Sequence, residues 1–315
     1  MPEAGPEFAV EVVDALNVLS GAFGHRAAHA KGTLCAGTFT ATEEAARMTR
    51  AEHMQGAPVR THVRFSNGSG DPDAPDYGRE GRGLAVKFYL PDGTTTDIVS
   101  VTLPVFLVRT PEDFLALMQA RVPNPDTGEP DMEKLGAFLS AHPESLPPIQ
   151  HALGADPAAS YLQTAYNALH AFRFVNADGE QRFVRYHWEP ERGEATIPYE
   201  EAKELGPDYL QEDLAERLSG GPAGFVLSVQ IADGDDPIDD PTAAWPEERE
   251  RIALGRLEVT GLADDREQDG DVLVFDPTRL TDGIECSDDP ILNFRSHAYA
   301  ESVYRRSGVR REQPA

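Results

Sequence analysis

The amino-acid sequence predicts an α+β fold with an antiparallel β-barrel core and surrounding helices. Between residues 32 and 106, short strand-like stretches follow one another with glycine-rich connections, a pattern that favours a barrel. The turn signals at 91–93 (Pro-Asp-Gly) and 176–179 (Asn-Ala-Asp-Gly) each separate two such stretches and predict hairpins. Residues 111–171 are helical in character. No internal repeat or clear domain boundary interrupts the chain, so we expect one domain over residues 1–315.

Helical spacing of apolar residues defines the predicted helices. The first carries Phe8, Val12, Leu16 and Leu19 on one face. A second is expected around residues 43–51, where Thr40 precedes Glu43 by three positions in the manner of a capping box. The others are predicted at 132–141, at 209–218 and from Pro290 onward, and Phe114, Leu117 and Met118 share a helical face between them. Prolines 143, 147 and 148 indicate an irregular crossing.

Alternating residues and β-branched side chains define the predicted strands. They cover residues 34–40, 59–65, 84–90, 96–100, 172–175, 182–188, 225–231 and 255–260.

Composition excludes several classes of function. The chain has 54 acidic and 28 basic residues and a formal charge of -26, which repels phosphate backbones, so nucleic acid is not an expected partner. No run of about 18 uncharged apolar residues exists, so no membrane span is expected. The N-terminus lacks the basic region of a secretory signal, and a cytoplasmic location is the prediction.

The two cysteines and one acidic run do not indicate a metal site. Cys35 and Cys286 lie far apart without zinc-type spacing; we expect two free thiols, although the sequence also permits one bridge. The acidic run at residues 233–240 lacks EF-hand spacing and is interpreted as a solvated loop, with cation binding as the alternative.

One histidine and one tyrosine, almost the whole chain apart, are the candidate chemical groups. His29 lies in an Arg-x-x-His-Ala-Lys-Gly run from Arg26 to Gly32, and Tyr299 closes an Arg-x-x-x-Tyr run that begins at Arg295. Each run alone has an ordinary interpretation, since a histidine near a strand start is usually solvated and an arginine four residues before a tyrosine is usually a stacking pair.

Together with further motifs in the same order, these runs resemble the catalase family, and the small catalase-related peroxidases more than full-length catalases. The further motifs are Arg64-Phe65-Ser66, the run from Arg82 to Tyr89, the run from Pro104 to Arg109 and the run from Phe275 to Leu280. The resemblance extends from about Arg26 to Arg306 and implies the catalase-type barrel and bound haem b.

The resemblance also implies a role for each candidate residue. Tyr299 would ligate the haem iron as a phenolate beside Arg295, as tyrosinate does in catalase. His29 would move the peroxide proton, and Ser66 would hold its other ring nitrogen. Arg26, Arg64 and Arg306 would bind the haem propionates, and Phe114 would cover the distal haem face. Without the resemblance, Ser66 is a strand residue, Phe114 a core residue and the arginines are solvated.

Three positions depart from the pattern of full-length catalases. Val101 stands where that family has the distal asparagine, and valine offers no hydrogen bond to peroxide. Ala28 and Gly68 replace the usual valines of the access channel. A wider, less polar distal side should weaken dismutation of hydrogen peroxide, because dismutation needs a second peroxide to be held in place.

The predicted function is therefore a haem peroxidase that reduces hydrogen peroxide or organic hydroperoxides with a small organic donor and keeps weak catalase activity. The alternatives are an isomerase or dehydratase of fatty-acid hydroperoxides, like the allene oxide synthases, and a non-enzymatic haem-binding barrel. The chain stops soon after Arg306, without the C-terminal helical or flavodoxin-like extension of larger catalases. We therefore expect a monomer or small homo-oligomer, such as a dimer.

Overall fold

Ten strands and eight helices form in residues 4–124, 127–264 and 272–307, which the computed structural model describes. Strands β1 to β10 are, in chain order, Gly32–Ala41, Val59–Asn67, Arg82–Tyr89, Thr95–Val101, Tyr166–Asn167, Phe172–Val175, Gln181–Pro190, Ala223–Ile231, Arg251–Leu262 and Ile284–Cys286. Helices α1 to α8 are Pro6–Ser20, Glu43–Met48, Pro111–Arg121, Met132–Ala141, Leu146–Gly154, Tyr199–Leu205, Tyr209–Ser219 and Pro290–Ser307.

The strands confirm the predicted antiparallel barrel. Neighbours pair in the order β10-β6-β7-β5-β4-β3-β2-β1-β9-β8, and β7 also pairs with β8. That last pairing closes eight strands into a ring, leaving β6 and β10 as an extension beside β7. Closure removes the exposed edges that an open sheet of this size would carry.

Large aromatic side chains fill the barrel. Because side chains alternate along a strand, every second residue of β1 to β4 and of β7 to β9 points inward. The largest fully buried side chains include Phe39, Phe65, Phe88, Trp188 and Phe225. These rings contact one another, as Phe39 does with Phe88 at a centroid distance of 5.3 Å. The barrel interior is therefore packed core, and any ligand site must lie outside the ring of strands.

Helices α1, α3 and α8 share a second apolar cluster outside the barrel. It includes Ala9 and Val12 of α1, Leu117 and Met118 of α3, and Phe294 of α8. The predicted amphipathic helix and the predicted face of Leu117 and Met118 are confirmed. The salt bridge from Arg305 Nη1 to Asp14 Oδ1 at 2.6 Å adds a polar tie between α8 and α1.

Two local predictions are wrong. The cap of α2 is Thr42 rather than Thr40, because the Thr42 hydroxyl accepts from Ala45 N while Thr40 is still part of β1, and the helix ends at Met48. The proline-containing crossing is a helix, α5, with Pro147 and Pro148 in its first turn. Proline is tolerated there because the first amides of a helix have no partner within it.

The two cysteines form no disulfide, and the acidic run forms salt bridges with an arginine. Cys35 and Cys286 are free thiols. In the acidic loop, the Arg249 guanidinium contacts Asp233 at 3.2 Å and Asp236 at 2.8 Å. Among residues 4–124, 127–264 and 272–307, no helix has both the length and the apolar character needed to cross a bilayer.

Candidate active site

A single row of residues crosses five strands on the outer face of the barrel. Gly32 pairs with Ser66, Ser66 with Gly83, Gly83 with Val101, and Val101 with Asn167. Residues directly opposite one another in antiparallel strands present their side chains on the same face. The register therefore brings the predicted Ser66 and Val101 together, with one glycine between them.

His29 is held over this row in a strained backbone conformation. Its φ of 56° lies in the left-handed region, which costs a non-glycine residue about 1 kcal/mol or more. Its amide donates to Gly68 O at 3.2 Å, and its carbonyl accepts from Arg64 Nη1 at 2.9 Å. Arg64 Nη2 also donates to Ala30 O at 3.0 Å. These bonds offset the strain and aim the imidazole at the row.

The imidazole of His29 fits between Ser66 and Gly83. His29 Nδ1 lies 3.0 Å from Ser66 Oγ, so the predicted contact between these residues is present. When Nδ1 donates to this hydroxyl, Nε2 is left as the basic nitrogen. A Cβ at Gly83 would lie 2.7 Å from His29 Nδ1 and 2.6 Å from Ser66 Oγ. Only glycine fits beneath this pair.

His29 is kept neutral by its surroundings. Burial is the main cause that lowers its pKa to about 3, and the positive charges of Arg64, Arg295, Arg26 and Arg82 contribute to the same shift. A neutral imidazole can accept a proton at any pH well above that value. The same result shows that four guanidinium groups act on the space around His29.

Tyr299 and Arg295 lie one turn apart on α8, as predicted. Both Nε, at 3.2 Å, and Nη2 of Arg295 donate to the phenol oxygen of Tyr299. A guanidinium carries five donors and no acceptor, so the Tyr299 oxygen serves Arg295 as an acceptor only. This arrangement fixes the position of the Tyr299 oxygen beside a guanidinium group.

A chain of hydrogen bonds continues behind Arg295. Its Nη1 lies 3.0 Å from His170 Nε2, and His170 Nδ1 lies 2.6 Å from Asp289 Oδ2. The other oxygen of Asp289 accepts from the amides of Ile291 and Leu292 and so caps α8. Asp289 and His170 are buried. The carboxylate thus fixes both the start of the helix and the orientation of Arg295.

The segments that carry His29 and Tyr299 contact each other. The amide of Ala27, two residues before His29, donates to Ser302 Oγ on α8 at 3.3 Å. The effect of Arg295 on the pKa of His29 also requires the two groups to be near. The structure therefore brings the predicted histidine and tyrosine into one region.

The remaining predicted residues differ in burial and in their contacts. Arg64 is buried and holds the backbone of His29 and Ala30, and Arg26 Nη2 donates to Leu273 O at 2.7 Å. Arg306 is half-buried near the end of α8. Phe114 is half-buried, with its ring 5.9 Å from that of Phe106, whose ring lies 5.7 Å from that of His170.

Ala28 and Gly68, the two positions predicted to widen the access channel, differ in the space around them. Ala28 is exposed. At Gly68, however, a Cβ would lie 2.9 Å from Gly81 O and 3.5 Å from Glu80 Oε2, so main-chain atoms already occupy that side. The expected widening therefore has no support at Gly68. The polar character of the wall at Val101 is carried instead by Asn167, whose Nδ2 donates to Leu103 O at 3.0 Å and whose Oδ1 lies 2.7 Å from His187 Nδ1.

Four residues of this region were not predicted as site residues: Gly83, Asn167, His170 and Asp289. Gly83 lies in the run from Arg82 to Tyr89, and a glycine directly after Arg82 was the signal that could have identified it. His170 and Asp289 are single polar residues without a local pattern, and only the tertiary fold joins them.

The fold and the site together define an antiparallel β-barrel protein with a serine-bonded neutral histidine and an arginine-bonded tyrosine on neighbouring segments. The catalase family profile matches residues 22–314. A catalase-related peroxidase of Mycolicibacterium paratuberculosis is 44% identical over 96% of this chain and 95% of its own length. A catalase-related peroxidase of Synechococcus elongatus is 34% identical over 93% of this chain and 87% of its own. The chain belongs to the catalase family.

Solved structures agree with this assignment. A fungal catalase superposes with a TM-score of 0.80 at 26% identity, covering 90% of this chain and 59% of that one. A bacterial catalase gives a TM-score of 0.81 at 26% identity, covering 90% of this chain and 58% of that one. The chain thus corresponds to about three fifths of these catalases.

Proposed function

We propose that this protein is a haem peroxidase that reduces hydrogen peroxide or organic hydroperoxides with a small organic electron donor and has weak catalase activity. The observation that carries the proposal is the pairing of two preorganised groups. One is the phenol oxygen of Tyr299 beside Arg295, and the other is the neutral imidazole of His29 beside Ser66. The peroxidases named above, which match nearly the whole chain, support the same activity.

The residues present suit a haem group. A phenolate is a suitable anionic ligand for ferric iron, and the Tyr299 oxygen lies within hydrogen-bond distance of the Arg295 guanidinium. Haem also carries two propionates, and guanidinium groups bind carboxylates through paired hydrogen bonds. Arg26, Arg64 and Arg295 all act electrostatically on the same region. Tyr299 would ligate the iron, Arg26, Arg64 and Arg306 would hold the propionates, and Phe114 would cover the distal face.

Bound haem would supply the redox-active iron for cleavage of the peroxide bond. The protein supplies the proton transfer. His29 Nε2 accepts the proton of the nearer peroxide oxygen and returns it to the departing one, so that water leaves. Ser66 keeps the tautomer in which Nε2 carries the free lone pair, and the low pKa of His29 keeps the ring neutral before the proton is transferred. Arg295 stabilises the charge on Tyr299.

Val101 favours donor oxidation over dismutation. It lies beside Gly83 in the row under His29 and offers peroxide no hydrogen bond. The neighbouring amide of Asn167 is already engaged with Leu103 and His187. A second peroxide is therefore poorly oriented, whereas a larger apolar donor loses nothing.

Several finer features stay predictions of this proposal. The haem is expected to be haem b, the whole of residues 1–315 is expected to form one haem domain, and the location is expected to be the cytoplasm. The assembly is expected to be a monomer or a dimer.

The proposal is tested with purified protein and four variants. Tyr299→Phe is expected to lose the ferric tyrosinate absorption spectrum. His29→Ala is expected to keep bound haem, and its rate of peroxide-dependent oxidation of an aromatic donor should fall about 100-fold or more. Tyr304→Phe on the same helix and His25→Ala in the same segment are the controls and should behave as wild type. Wild-type protein that binds no haem would refute the proposal, and conversion of a lipid hydroperoxide without a donor would indicate the isomerase instead.

A further inference from the structure

A bulge in the barrel wall places His170 opposite one buried arginine. Ala168 N donates to Tyr186 O at 3.0 Å, and Phe172 pairs with Val184. Between these points three residues, 169–171, face the single residue Arg185. Leu169 has a φ of 31°, in the region that side chains rarely adopt. The extra residues push His170 outward, so that it reaches both Asp289 and Arg295.

Arg185 is fixed beneath this bulge by a loop that runs from residue 237 to residue 245. Its guanidinium donates to the carbonyls of Ala243 at 2.7 Å, Asp240 at 3.1 Å and Pro237 at 3.4 Å. The ring of Trp245 covers it at 4.4 Å. Arg185 and Trp245 are 6% and 5% exposed, so a full positive charge is held away from solvent.

The charge of Arg185 acts on the chain of hydrogen bonds that runs from Asp289 through His170 to Arg295. Burial lowers the pKa of Arg185 to about 10, and Asp289 is the strongest of the negative charges that oppose this, ahead of Asp240 and Asp236. The other two carboxylates already have cationic partners, Arg109 for Asp240 and Arg249 for Asp236. Burial likewise lowers the pKa of His170, with Arg295 and Arg185 acting in the same direction and Asp289 against them.

We propose that Arg185 is a positioning residue for the site: its buried positive charge balances Asp289 and so limits the negative charge that the chain of hydrogen bonds transmits through His170 and Arg295 to Tyr299. The inference rests on the proposed function, in which Tyr299 ligates the haem iron. A neutral His170 can accept the hydrogen bond from Arg295 Nη1, which a protonated imidazole cannot.

The sign of the effect follows from Coulomb's law. Removing a positive charge makes the electrostatic potential at the iron more negative, which stabilises the ferric form. At about pH 8, above the ordinary imidazole pKa of about 6.5, His170 stays neutral and no proton replaces the lost charge. The ferric/ferrous midpoint potential of the holoprotein should therefore fall when Arg185 loses its charge.

The test compares midpoint potentials of haem-loaded Arg185→Gln, Arg185→Lys and Arg249→Gln by spectroelectrochemistry. Arg185→Gln should shift to a more negative potential, whereas Arg185→Lys, which keeps the charge, should stay close to wild type. Arg249→Gln removes the cation that pairs with Asp233 and Asp236. Arg249 is not among the charges that act on His170, so this variant should leave the potential unchanged.

Two results would overturn the role of Arg185. One is an Arg185→Gln protein that binds haem normally and has the wild-type potential. The other is an Arg185→Lys protein with a clear negative shift, and this variant decides the matter if Arg185→Gln does not fold. Failure of wild-type protein to bind haem through Tyr299 would instead refute the proposed function, so the two failures are distinguishable.

Discussion

His29 combines a strained backbone with a precise side-chain position. Its left-handed conformation is held by bonds to Gly68 and Arg64 and not by its own preference. Two guanidinium nitrogens of Arg64 donate hydrogen bonds to the carbonyls of His29 and Ala30. The arginine assigned to a haem propionate therefore also maintains the histidine, so a loss at Arg64 would affect both tasks.

Replacing Val101 tests which reaction the distal side favours. Val101→Asn adds a hydrogen-bonding group to the row beside Gly83, where a second peroxide could be oriented. We expect oxygen evolution from hydrogen peroxide to rise about tenfold relative to oxidation of an aromatic donor, equivalent to about 1.4 kcal/mol in the barrier. An oxygen electrode and a donor assay on the same preparation give the ratio. Val101→Leu is the apolar control and should not raise it; an unchanged ratio in Val101→Asn would contradict this role.

At the scale of elements, the close pairing of β2 and β3 fixes the space under His29. Gly83→Ala would place a methyl group 2.6 Å from Ser66 Oγ and 2.7 Å from His29 Nδ1, so that one of them must move. We expect kcat/KM for peroxide to fall at least tenfold (~), because the imidazole loses its fixed tautomer and direction. Steady-state kinetics measure the loss.

Gly261→Ala provides the matched control, since it adds the same methyl group to β9, where nothing lies within 4 Å. It should retain the wild-type kcat/KM. Equal activity of Gly83→Ala and Gly261→Ala would mean that the contact between His29 and Ser66 does not contribute to the reaction.

The elements that the sequence predicted best have strong local signals. Alternation and the turns at residues 91–93 and 176–179 located β3, β4, β6 and β7. The helix predicted at 132–141 is α4, whose N-cap Asp131 accepts a hydrogen bond from Lys134 N. Strands β5 and β10 have only two and three residues, too few for any periodicity. At α5, two prolines suggested an irregular chain because their tolerance in a first helical turn depends on where the helix begins.

The candidate site was predictable where residues lie in recognisable runs. His29, Ser66 and Tyr299 were found in this way. In the structure His29 contacts Ser66, and Arg295 donates a hydrogen bond to Tyr299. His170, Arg185 and Asp289 were not found, because each is an isolated polar residue. What joins them is a bulge between β5 and β6 and the cap of a distant helix, and neither leaves a pattern in the sequence.

At the scale of the whole molecule, the net charge is negative, whereas the charges that act on the site are positive. The chain carries a formal charge of -26, yet four arginines act on the region of His29. Like-charged anionic donors are repelled at long range, while uncharged peroxides are unaffected. The region of His29 thus carries local positive charge, which anionic haem propionates would need.

Acid stability depends on a histidine that the site does not use. His53 is 1% exposed, its ring packs at a tilt against Phe88 with a centroid distance of 4.7 Å, and burial lowers its pKa to about 3. An unfolded chain would bind a proton at this histidine near its ordinary pKa of about 6.5. Above that pH the histidine is neutral in both states. As the pH falls from about 6.5 towards 3, only the unfolded state gains the proton, so the folded state loses stability.

His53→Leu should therefore make the protein less sensitive to acid. The unfolding free energy of the wild type should fall between about pH 6 and pH 4 more steeply than that of the variant, by about 1.4 kcal/mol per pH unit, which corresponds to one proton. Denaturant unfolding at several pH values measures both slopes. His25→Leu, at an exposed histidine, should keep the wild-type slope. Parallel curves for wild type and His53→Leu would show that His53 is protonated equally in the folded and unfolded states.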